Sequence, residues 1–275
     1  MGNRERIDPY KISIAVHLIR RRPLPHEPEM PTNVTLSMPA PLTKNYLLPV
    51  SRLINAWRPR TILDVGAGNG WLSASLSYGP TIDGIDWNFQ EVPGYATYRV
   101  ANINNGFPEG LSQYDCVVCC EVIALLTNPG MLFSEANRHL PIGGKFIIST
   151  PNSLYPQSRL QYFMRGFHSG FPSLAGKLMW GQHMHLIPWS FPQIYNFLML
   201  HGFRDITLHE VLEPKPKSLH EWFLGAPAWL YAAWKRKNGS VESRDFWKMA
   251  GARQAMFGRR MVISARKGEE FSALG

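Results

Sequence analysis

The sequence predicts an α/β fold in which a mainly parallel β-sheet carries helices on both faces. Short apolar runs alternate along the 275 residues with segments whose apolar residues repeat at helical spacing. A glycine-rich loop also joins the first such run directly to the start of a helix. Alternating strands and helices form a parallel sheet, because each helix returns the chain across the sheet. A hydrophobic share of 45% is ample for the core of such a fold.

The predicted elements follow in order along the chain. Leu47–Trp57 has apolar residues at helical spacing and precedes the first strand, Ile62–Val65. The spacing S-x-x-Q from Ser190, with a proline in the first turn, predicts the start of a helix that runs to His201. The remaining predicted helices are Trp71–Ser77 and Gly130–Leu140, and the remaining strands are Thr81–Asp86, Thr97–Asn102, Asp115–Glu121, Lys145–Thr150, Asp205–Val211 and Arg260–Ala265.

Residues 1–45 are rich in proline and arginine, and we expect an amino-terminal arm that packs over a core or a site. Residues 46–275 are predicted to form one α/β domain, interrupted by insertions at 153–189 and 212–257. A long segment without regular elements in a compact domain is typical of a lid or a binding element.

The composition limits where the protein acts and what it contacts. No apolar run is long enough to cross a bilayer, and the amino end shows no secretory signal, so we expect a cytoplasmic protein, either soluble or peripheral to a membrane. The net charge of +9 favours an anionic partner: nucleic acid, anionic lipid or a phosphorylated substrate. Outside Arg20–Arg22 and Lys235–Lys237 the basic residues are scattered, which weakens the nucleic-acid interpretation.

The three cysteines, Cys116, Cys119 and Cys120, lie in one predicted strand. A zinc site would need a second pair of ligands at suitable spacing, and none is evident, so we expect no metal. Free cysteine is commonly a buried packing residue, and we favour that interpretation over redox chemistry.

The segment TILDVGAGNGWL, residues 61–72, carries the strongest functional signal. It places Gly66, Gly68 and Gly70 between a strand and a helix, where positive φ, close approach of a ligand and unpaired N–H groups become available. The dinucleotide fingerprint G-x-G-x-x-G would require a third glycine where this chain has Trp71. The pattern is instead G-x-G-x-G preceded by an acid, Asp64.

Together with TIDGIDWN, YDCVVCCEVIALLTNP, LPIGGKFIISTPN and HLIPWSFPQIYNFLMLHGF, this loop resembles the motif order of class I S-adenosylmethionine (AdoMet)-dependent methyltransferases. The resemblance extends over residues 49–211 and 259–267 and is closest to the branch that acts on small molecules and biosynthetic intermediates, as in quinone O-methylation. It implies a Rossmann-like sandwich with a mainly parallel seven-stranded sheet, an antiparallel last strand and lid insertions.

The resemblance also implies how AdoMet is held. Asp64 and the glycine turn are expected to hold the methionine end, with the acid facing the ammonium group. Asp86 is expected to accept hydrogen bonds from the ribose hydroxyls, the alternative being a turn or cap aspartate. Asn102 stands where relatives often have an adenine-binding aspartate, and its amide keeps the accepting oxygen and adds a donor. The implied cofactor-binding residues are Asp64, Gly66, Ala67, Gly68, Asn69, Gly70, Asp86, Trp87, Asn102, Ile103 and Glu121.

One departure from the family pattern affects catalysis. Relatives commonly continue Glu-Val-x-Glu-His at the end of strand four, whereas Glu121 is followed by Val122, Ile123 and Ala124. The missing Glu-His pair removes the residues to which relatives assign a catalytic or metal role. Glu121 itself is either a cofactor neighbour or an ordinary carboxylate at the end of a strand.

The acceptor side is expected to involve the first insertion. Methyl transfer from a sulfonium needs alignment, exclusion of water and in some cases a base. His185 matches the family histidine and is the candidate base; the alternative is a packing role. Tyr155, Arg159 and His183 are candidate substrate residues, and Tyr162 shares a predicted helix with the first two, although packing explains them equally well.

The second insertion has a run of aromatic residues followed by Lys235–Lys237. Within 217–237 this pattern suits a membrane interface or access to a lipid-linked acceptor. A helical pair packed on the sheet is the alternative, and it is favoured by Pro214, Pro216 and Pro227, which are expected to break up any long amphipathic helix.

The sequence therefore predicts a methyltransferase that uses AdoMet to methylate a small-molecule or lipid-linked acceptor, at oxygen. One alternative is a nucleic-acid methyltransferase, although its usual Asn/Asp-Pro-Pro-aromatic motif is replaced here by Thr150-Pro151-Asn152-Ser153. The other is a non-catalytic AdoMet-binding protein, which the missing Glu-His pair keeps open.

Overall fold

The computed structural model describes residues 44–87, 92–169 and 185–269. Chain contacts separate a unit of residues 1–35 from a unit of residues 36–275, and every described residue belongs to the second. The predicted amino-terminal arm, apart from its last two residues, lies outside the described residues.

A single seven-stranded sheet forms the centre of the second unit, in the order β3-β2-β1-β4-β5-β7-β6. The first five strands pair in parallel, and β7 runs antiparallel to both β5 and β6. The predicted fold class, including the antiparallel last strand, is confirmed. The strands are β1 Thr61–Val65, β2 Thr81–Asp86, β3 Thr97–Val100, β4 Cys116–Cys120, β5 Lys145–Pro151, β6 Phe203–His209 and β7 Arg260–Lys267.

The strand order reverses between β1 and β4, because the chain moves outward from β1 through β2 to β3 and then returns beside β1. Ligands of open α/β sheets bind in the crevice at the carboxyl ends of the strands on either side of such a reversal. The topology therefore directs attention to the segments that follow β1, β2 and β4.

Helices cover both faces of the sheet. One face packs a core that includes Phe133, Trp189 and Phe191, and the other packs a core that includes Ile54 and Leu72. The helices are α1 Leu47–Trp57, α2 Trp71–Ser75, α3 Pro129–Arg138, α4 Pro156–Arg165, α5 Phe191–Leu200, α6 Leu219–Asn238, α7 Arg244–Ala250 and α8 Arg253–Phe257.

All five residues of β4 are buried, as expected for a central strand covered on both faces. Cys116, Cys119 and Cys120 are free thiols, and burial raises the pKa of each well above its usual value. The prediction that these cysteines pack in the core is confirmed. Protonated, buried thiols are poor nucleophiles and poor metal ligands.

Several strand boundaries differ from the predictions by one or two residues, and two of these differences have a local explanation. β3 ends at Val100, because Asn102 turns its side chain back to accept a hydrogen bond from the Asn104 N–H and caps a short 3-10 turn. β6 begins two residues earlier than expected, at Phe203, which is buried against the core.

The second insertion contains α6, α7 and α8 and is tied to the sheet through Gln254. The expectation that prolines would prevent a long helix is wrong for Pro227, since α6 runs through it for 20 residues. Because Pro227 has no N–H, the Phe223 carbonyl lacks its usual helical donor. Pro227 and Phe223 both lie on the exposed side of α6. Water can satisfy that carbonyl, which reduces the cost of an internal proline. None of the helices within the described ranges combines the length and the apolar character needed to cross a membrane.

Candidate cofactor and acceptor site

The glycine loop between β1 and α2 is fastened to the end of β2. The N–H groups of Gly66 and Ala67 both donate to the Ile85 carbonyl, at 2.7 and 3.1 Å, and Gly68 N–H donates to Asp86 Oδ2 at 2.9 Å. These contacts follow from the parallel pairing of β1 with β2, which brings both carboxyl ends to the same edge.

The three glycines of this loop have positive φ but serve different purposes. A Cβ on Gly66 would lie 2.0 Å from Val122 Cγ2, and one on Gly70 would lie 1.8 Å from Val92 Cγ1. Among the described residues, the nearest atom to a Cβ on Gly68 would be the Gly66 carbonyl oxygen, at 4.0 Å. Gly66 and Gly70 therefore allow close packing within the protein, and Gly68 is the position that borders open space.

Asp64 lies beneath this loop and is completely buried. Its Oδ2 accepts a hydrogen bond of 2.5 Å from the Tyr95 hydroxyl, whereas its Oδ1 finds no donor among the described residues. Burial raises the pKa of Asp64 to about 7, an effect that the Tyr95 hydrogen bond opposes and the nearby charge of Asp86 adds to. A buried carboxylate with one unsatisfied oxygen is well suited to a cationic donor.

Asp86 and Trp87 follow at the end of β2. Asp86 is partly buried and faces the glycine loop through its bond to Gly68, and the Trp87 side chain is exposed. The Tyr98 hydroxyl of β3 donates to the Gly68 carbonyl at 3.3 Å. The ends of β1, β2 and β3 thus surround one side of the loop.

The turn after β3 joins this edge to the segment after β4. Asn102 Oδ1 accepts hydrogen bonds from the N–H and the side-chain amide of Asn104, and Ile103 is buried. Asn104 Oδ1 in turn accepts from the Thr127 and Asn128 N–H groups, at 2.9 Å each. These bonds hold the predicted adenine-binding turn in a fixed position.

Glu121, at the end of β4, has both carboxylate oxygens engaged. Oε2 forms an ion pair with Arg260, and Oε1 accepts a hydrogen bond of 3.3 Å from the Ser149 hydroxyl. Its φ of 62° is unusual for a residue with a side chain. The pair holds the beginning of β7 against the end of β4, next to Val122 and the glycine loop.

The segment that carries His185 lies over the ends of β4 and β5. The Leu186 N–H donates to the Ala124 carbonyl at 2.9 Å, and the Trp189 ring N–H donates to the Ile123 carbonyl at 3.2 Å. His185 is partly buried. The pKa of the neighbouring His168 is lowered, first by burial of the His168 ring and then by the charge of His185. His183 lies outside the described residues.

Arg159 lines a cavity of about 200 Å³ beyond the end of β5, whereas Tyr155 is not among the described residues of its lining. The Arg259 guanidinium lies 3.5 Å from the centre of the Tyr155 ring, and Tyr155 Oη is 3.0 Å from Ser169 Oγ. Arg159, fixed by a bond to the Leu154 carbonyl, lines the cavity directly. The rest of the lining is mostly apolar: Leu154, Ser190, Pro192, Ala228, Tyr231, Ala232, Trp247, Ala250, Ala255 and Met256.

Two residues of the site were not predicted from the sequence. Tyr95 and Arg260 contact Asp64 and Glu121, yet neither belongs to a recognisable motif. One signal was present: Gly84 stands alone inside β2, and such a glycine indicates close approach of another group. A Cβ there would lie 2.9 Å from the Tyr95 ring and 3.0 Å from the Tyr98 ring.

The arrangement combines a buried acid, a loop bordering open space, a strand-end acid and a histidine over the sheet edge. Across the three described ranges, no group of three His, Cys, Asp or Glu side chains is placed to hold a metal ion. The edge of the sheet at Asp64 can bind a polar, cationic ligand, and a separate, mostly apolar cavity lies beyond the end of β5.

Comparison with protein families gives one match over more than half of the chain. The model described as a methyltransferase domain matches residues 43–208. A curated relative, the ubiquinone biosynthesis O-methyltransferase of Nitrosomonas europaea, is 27% identical over 141 residues, which cover 46% of this chain and 59% of that protein's length.

Solved structures with similarity include two with methyltransferase names. The Burkholderia thailandensis 1,6-didemethyltoxoflavin-N1-methyltransferase gives a TM-score of 0.46 at 16% identity, covering 80% of this chain and 77% of the other. The Haemonchus contortus phosphoethanolamine N-methyltransferase 2, in complex with S-adenosyl-L-methionine, gives 0.42 at 17% identity, covering 79% and 52%.

Proposed function

The chain belongs to the methyltransferase-domain family, and from that premise we propose that it transfers a methyl group from AdoMet to a small-molecule or lipid-linked acceptor, at oxygen. The observation that carries the proposal is the buried carboxylate of Asp64, whose Oδ1 lacks a donor among the described residues. Such an oxygen at the end of β1 is suited to the ammonium group of a bound amino acid.

The residues of the site fit AdoMet. Asp64 binds the ammonium group, and Gly68, with open space where a side chain would stand, lets the ligand approach the loop backbone. Ala67, Asn69, Gly66 and Gly70 give the loop its shape. When bound, AdoMet would supply an electrophilic methyl group on its sulfonium for transfer to an acceptor oxygen, with S-adenosylhomocysteine as the leaving product.

Further residues fix the rest of the cofactor. We assign Asp86 to the ribose hydroxyls, since it lies at the end of β2 and touches the loop at Gly68. Asn102 and Ile103, on the turn after β3, take the adenine, and Trp87 lies beside it. Glu121 forms the wall toward β4, held there by Arg260 and Ser149.

The acceptor occupies the space beyond the ends of β4 and β5. The apolar cavity lined by Arg159 accommodates its hydrophobic part, and Tyr155 follows the end of β5 close to Arg159 in the sequence. A hydrocarbon-bearing acceptor agrees with this lining, and a lipid-linked one agrees with the exposed aromatic residues of 217–237. We place the reaction in the cytoplasm, at or near a membrane surface.

Oxygen is favoured as the atom methylated because the curated relative is named an O-methyltransferase. We assign His185 as the base that removes the acceptor's hydroxyl proton, since its segment is hydrogen-bonded to the loop after β4 where the family's Glu-His pair is missing. General bases of this kind contribute about 10²–10⁴-fold to rate.

Calorimetry with AdoMet and S-adenosylhomocysteine tests the donor site. We expect both to bind the wild type and Asp86→Ala to lose about tenfold or more in affinity, because the ribose contacts are charge-assisted. Absence of binding by the wild type would sink the methyltransferase assignment; unchanged affinity in Asp86→Ala would sink only the ribose assignment.

A turnover assay separates catalysis from binding. Release of S-adenosylhomocysteine is measured with hydroxylated quinones of differing chain length, and with RNA as a comparison. We expect turnover with a hydroxylated quinone. His185→Gln should lose about 10²-fold or more in kcat, with little change in AdoMet affinity. Cofactor binding without turnover on any acceptor would favour a non-catalytic AdoMet-binding protein, the alternative raised by the missing Glu-His pair.

A further inference from the structure

Helix α6 has one side against the protein and large apolar side chains on the opposite side. Glu221, Gly225 and Ala232 recur at helical spacing and face the protein. Leu219, Phe223, Leu230 and Trp234 also lie one above another, since their separations of 4, 11 and 15 residues are close to whole turns. These four side chains are 81%, 70%, 59% and 55% exposed. The outer side of α6 is thus a row of large apolar groups in contact with solvent.

Helix α4 repeats this pattern. Leu160, Phe163 and Met164 are neighbours on one side of the helix, and Phe163 is 86% exposed. α4 packs against α6, so two adjacent helices each expose large apolar side chains. Exposed apolar groups clustered in this way mark an interaction site more often than isolated ones do. We call these outer sides of α4 and α6 the α4–α6 face.

Cations complete the face. Arg165 lies in the last turn of α4, and Lys235, Arg236 and Lys237 lie in the last turn of α6. The Lys235 ammonium is 5.4 Å from the centre of the Trp234 ring, and the Arg165 guanidinium is 4.6 Å from that of Phe167. Cations therefore lie directly beside the apolar groups, as they do where long side chains reach from an apolar layer to a polar one.

Carboxylates are absent from the exposed part of both helices. The sequence of α4 contains no acidic residue, and the only one in α6, Glu221, is buried and paired with Arg259. The combination of exposed aliphatic, tryptophan and tyrosine side chains with cations and no anions is complementary to one kind of surface: apolar chains beneath anionic headgroups.

We propose that the α4–α6 face docks onto the surface of a bilayer that contains anionic lipids, with α6 lying in the plane of the interface. Phe163, Phe223 and Leu230 enter the boundary between headgroups and acyl chains, and the lysines and arginines contact lipid phosphates. The docking needs neither AdoMet nor an acceptor.

Vesicle flotation of the full chain tests the proposal, with vesicles of phosphatidylcholine alone and with added phosphatidylglycerol. We expect flotation with the anionic vesicles, weakened by salt. Phe163→Ser/Phe223→Ser should lower partitioning at least about tenfold, because two exposed phenyl groups lose a favourable apolar environment. Lys235→Gln/Lys237→Gln should reduce binding about tenfold and remove the preference for anionic lipid.

The matched control is Ile142→Ser/Leu200→Ser, which removes two apolar side chains that are 61% and 82% exposed on other parts of the surface. It should leave flotation unchanged, and an equal loss in this control would overturn the proposal. Failure of the wild type to float, or equal flotation with both vesicle types, would also overturn the proposal. A dimer in solution that Phe163→Ser/Phe223→Ser dissociates would overturn it too, because the α4–α6 face would then bind a second copy of the chain. Unchanged AdoMet affinity and melting temperature in the variants show that the fold and the donor site are intact.

Discussion

The Tyr95 hydroxyl donates a 2.5 Å hydrogen bond to Oδ2 of the buried Asp64, while Oδ1 of the same carboxylate has no donor among the described residues. Tyr95 supplies one of the bonds that a buried carboxylate needs, and a ligand is left to supply the rest. With Asp64 as the proposed partner of the ligand's ammonium group, we expect the protonation of Asp64 to be coupled to occupancy of the cofactor site.

We first predict that AdoMet binding strengthens as pH rises through neutrality. Because burial raises the pKa of Asp64 to about 7, the free protein holds a proton that an ammonium ligand must displace. Calorimetry from pH 6 to 8 should show affinity rising by up to about tenfold, with proton release. Asp64→Asn should abolish this dependence. Methylthioadenosine, which has no ammonium group, is the matched ligand, and its affinity should stay flat; a parallel rise would contradict the assignment.

The same carboxyl makes the ligand-free protein less stable as pH rises. The folded pKa of Asp64, about 7, exceeds the unfolded value of about 4. Its stabilising contribution is therefore complete below about pH 4 and is lost as pH approaches 7. Urea unfolding of wild type and Asp64→Asn across this range should give a difference in unfolding free energy that changes with pH. A constant difference would show that Asp64 does not titrate in the range.

Tyr95→Phe is predicted to destabilise the protein by about 1–3 kcal/mol, because Oδ2 of the buried Asp64 carboxyl loses the hydrogen bond from the Tyr95 hydroxyl. It should also move the pH dependence of AdoMet binding to higher pH, since that hydrogen bond lowers the pKa of Asp64. Urea unfolding and calorimetry measure the two effects. Tyr78→Phe removes a hydroxyl that donates to the Pro59 carbonyl far from the loop and serves as the control; a matching shift there would refute the link.

Gly66→Ala should lower the free energy of unfolding by more than the positive φ of Gly66 alone explains. The φ of 80° costs an alanine about 1–2 kcal/mol, and overlap with Val122 adds about 1–3 kcal/mol. Gly143 has a φ of 83°, and no atom of the described residues would lie within 4 Å of its added Cβ, so Gly143→Ala measures the backbone part by itself. In unfolding experiments, Val122→Ala should recover part of the loss when combined with Gly66→Ala, whereas strictly additive effects would argue against the contact.

Gln254→Leu should weaken the attachment of the second insertion to the sheet and lower the free energy of unfolding by about 2–4 kcal/mol. Gln254 accepts hydrogen bonds from Val211 N–H and Lys215 Nζ and donates to Glu213 and the Arg260 carbonyl. The loss should appear in urea unfolding and as faster amide exchange in α8. The exposed Gln157→Leu should be nearly neutral, and a comparable loss there would point to a general effect of the substitution.

Much of the fold could be predicted because it depends on local patterns. The buried strand that contains Asp64 and the capping box at Ser190 can each be recognised from a few neighbouring residues, and both are present. The contact of Glu121 with Arg260 joins residues 139 apart, which no local period encodes. The helix through Pro227 also could not be foreseen, because its tolerance depends on which side of α6 faces water.

The position of β7 between β5 and β6 has a consequence for synthesis on the ribosome. β5 ends at Pro151, yet its second neighbour begins at Arg260, so one edge of the parallel strands stays unpaired until more than a hundred further residues have been made. Pairing over such a distance slows folding and exposes strand edges. We expect a nascent chain stopped before residue 260 to be protease-sensitive and to need a chaperone, and to become resistant once β7 has emerged.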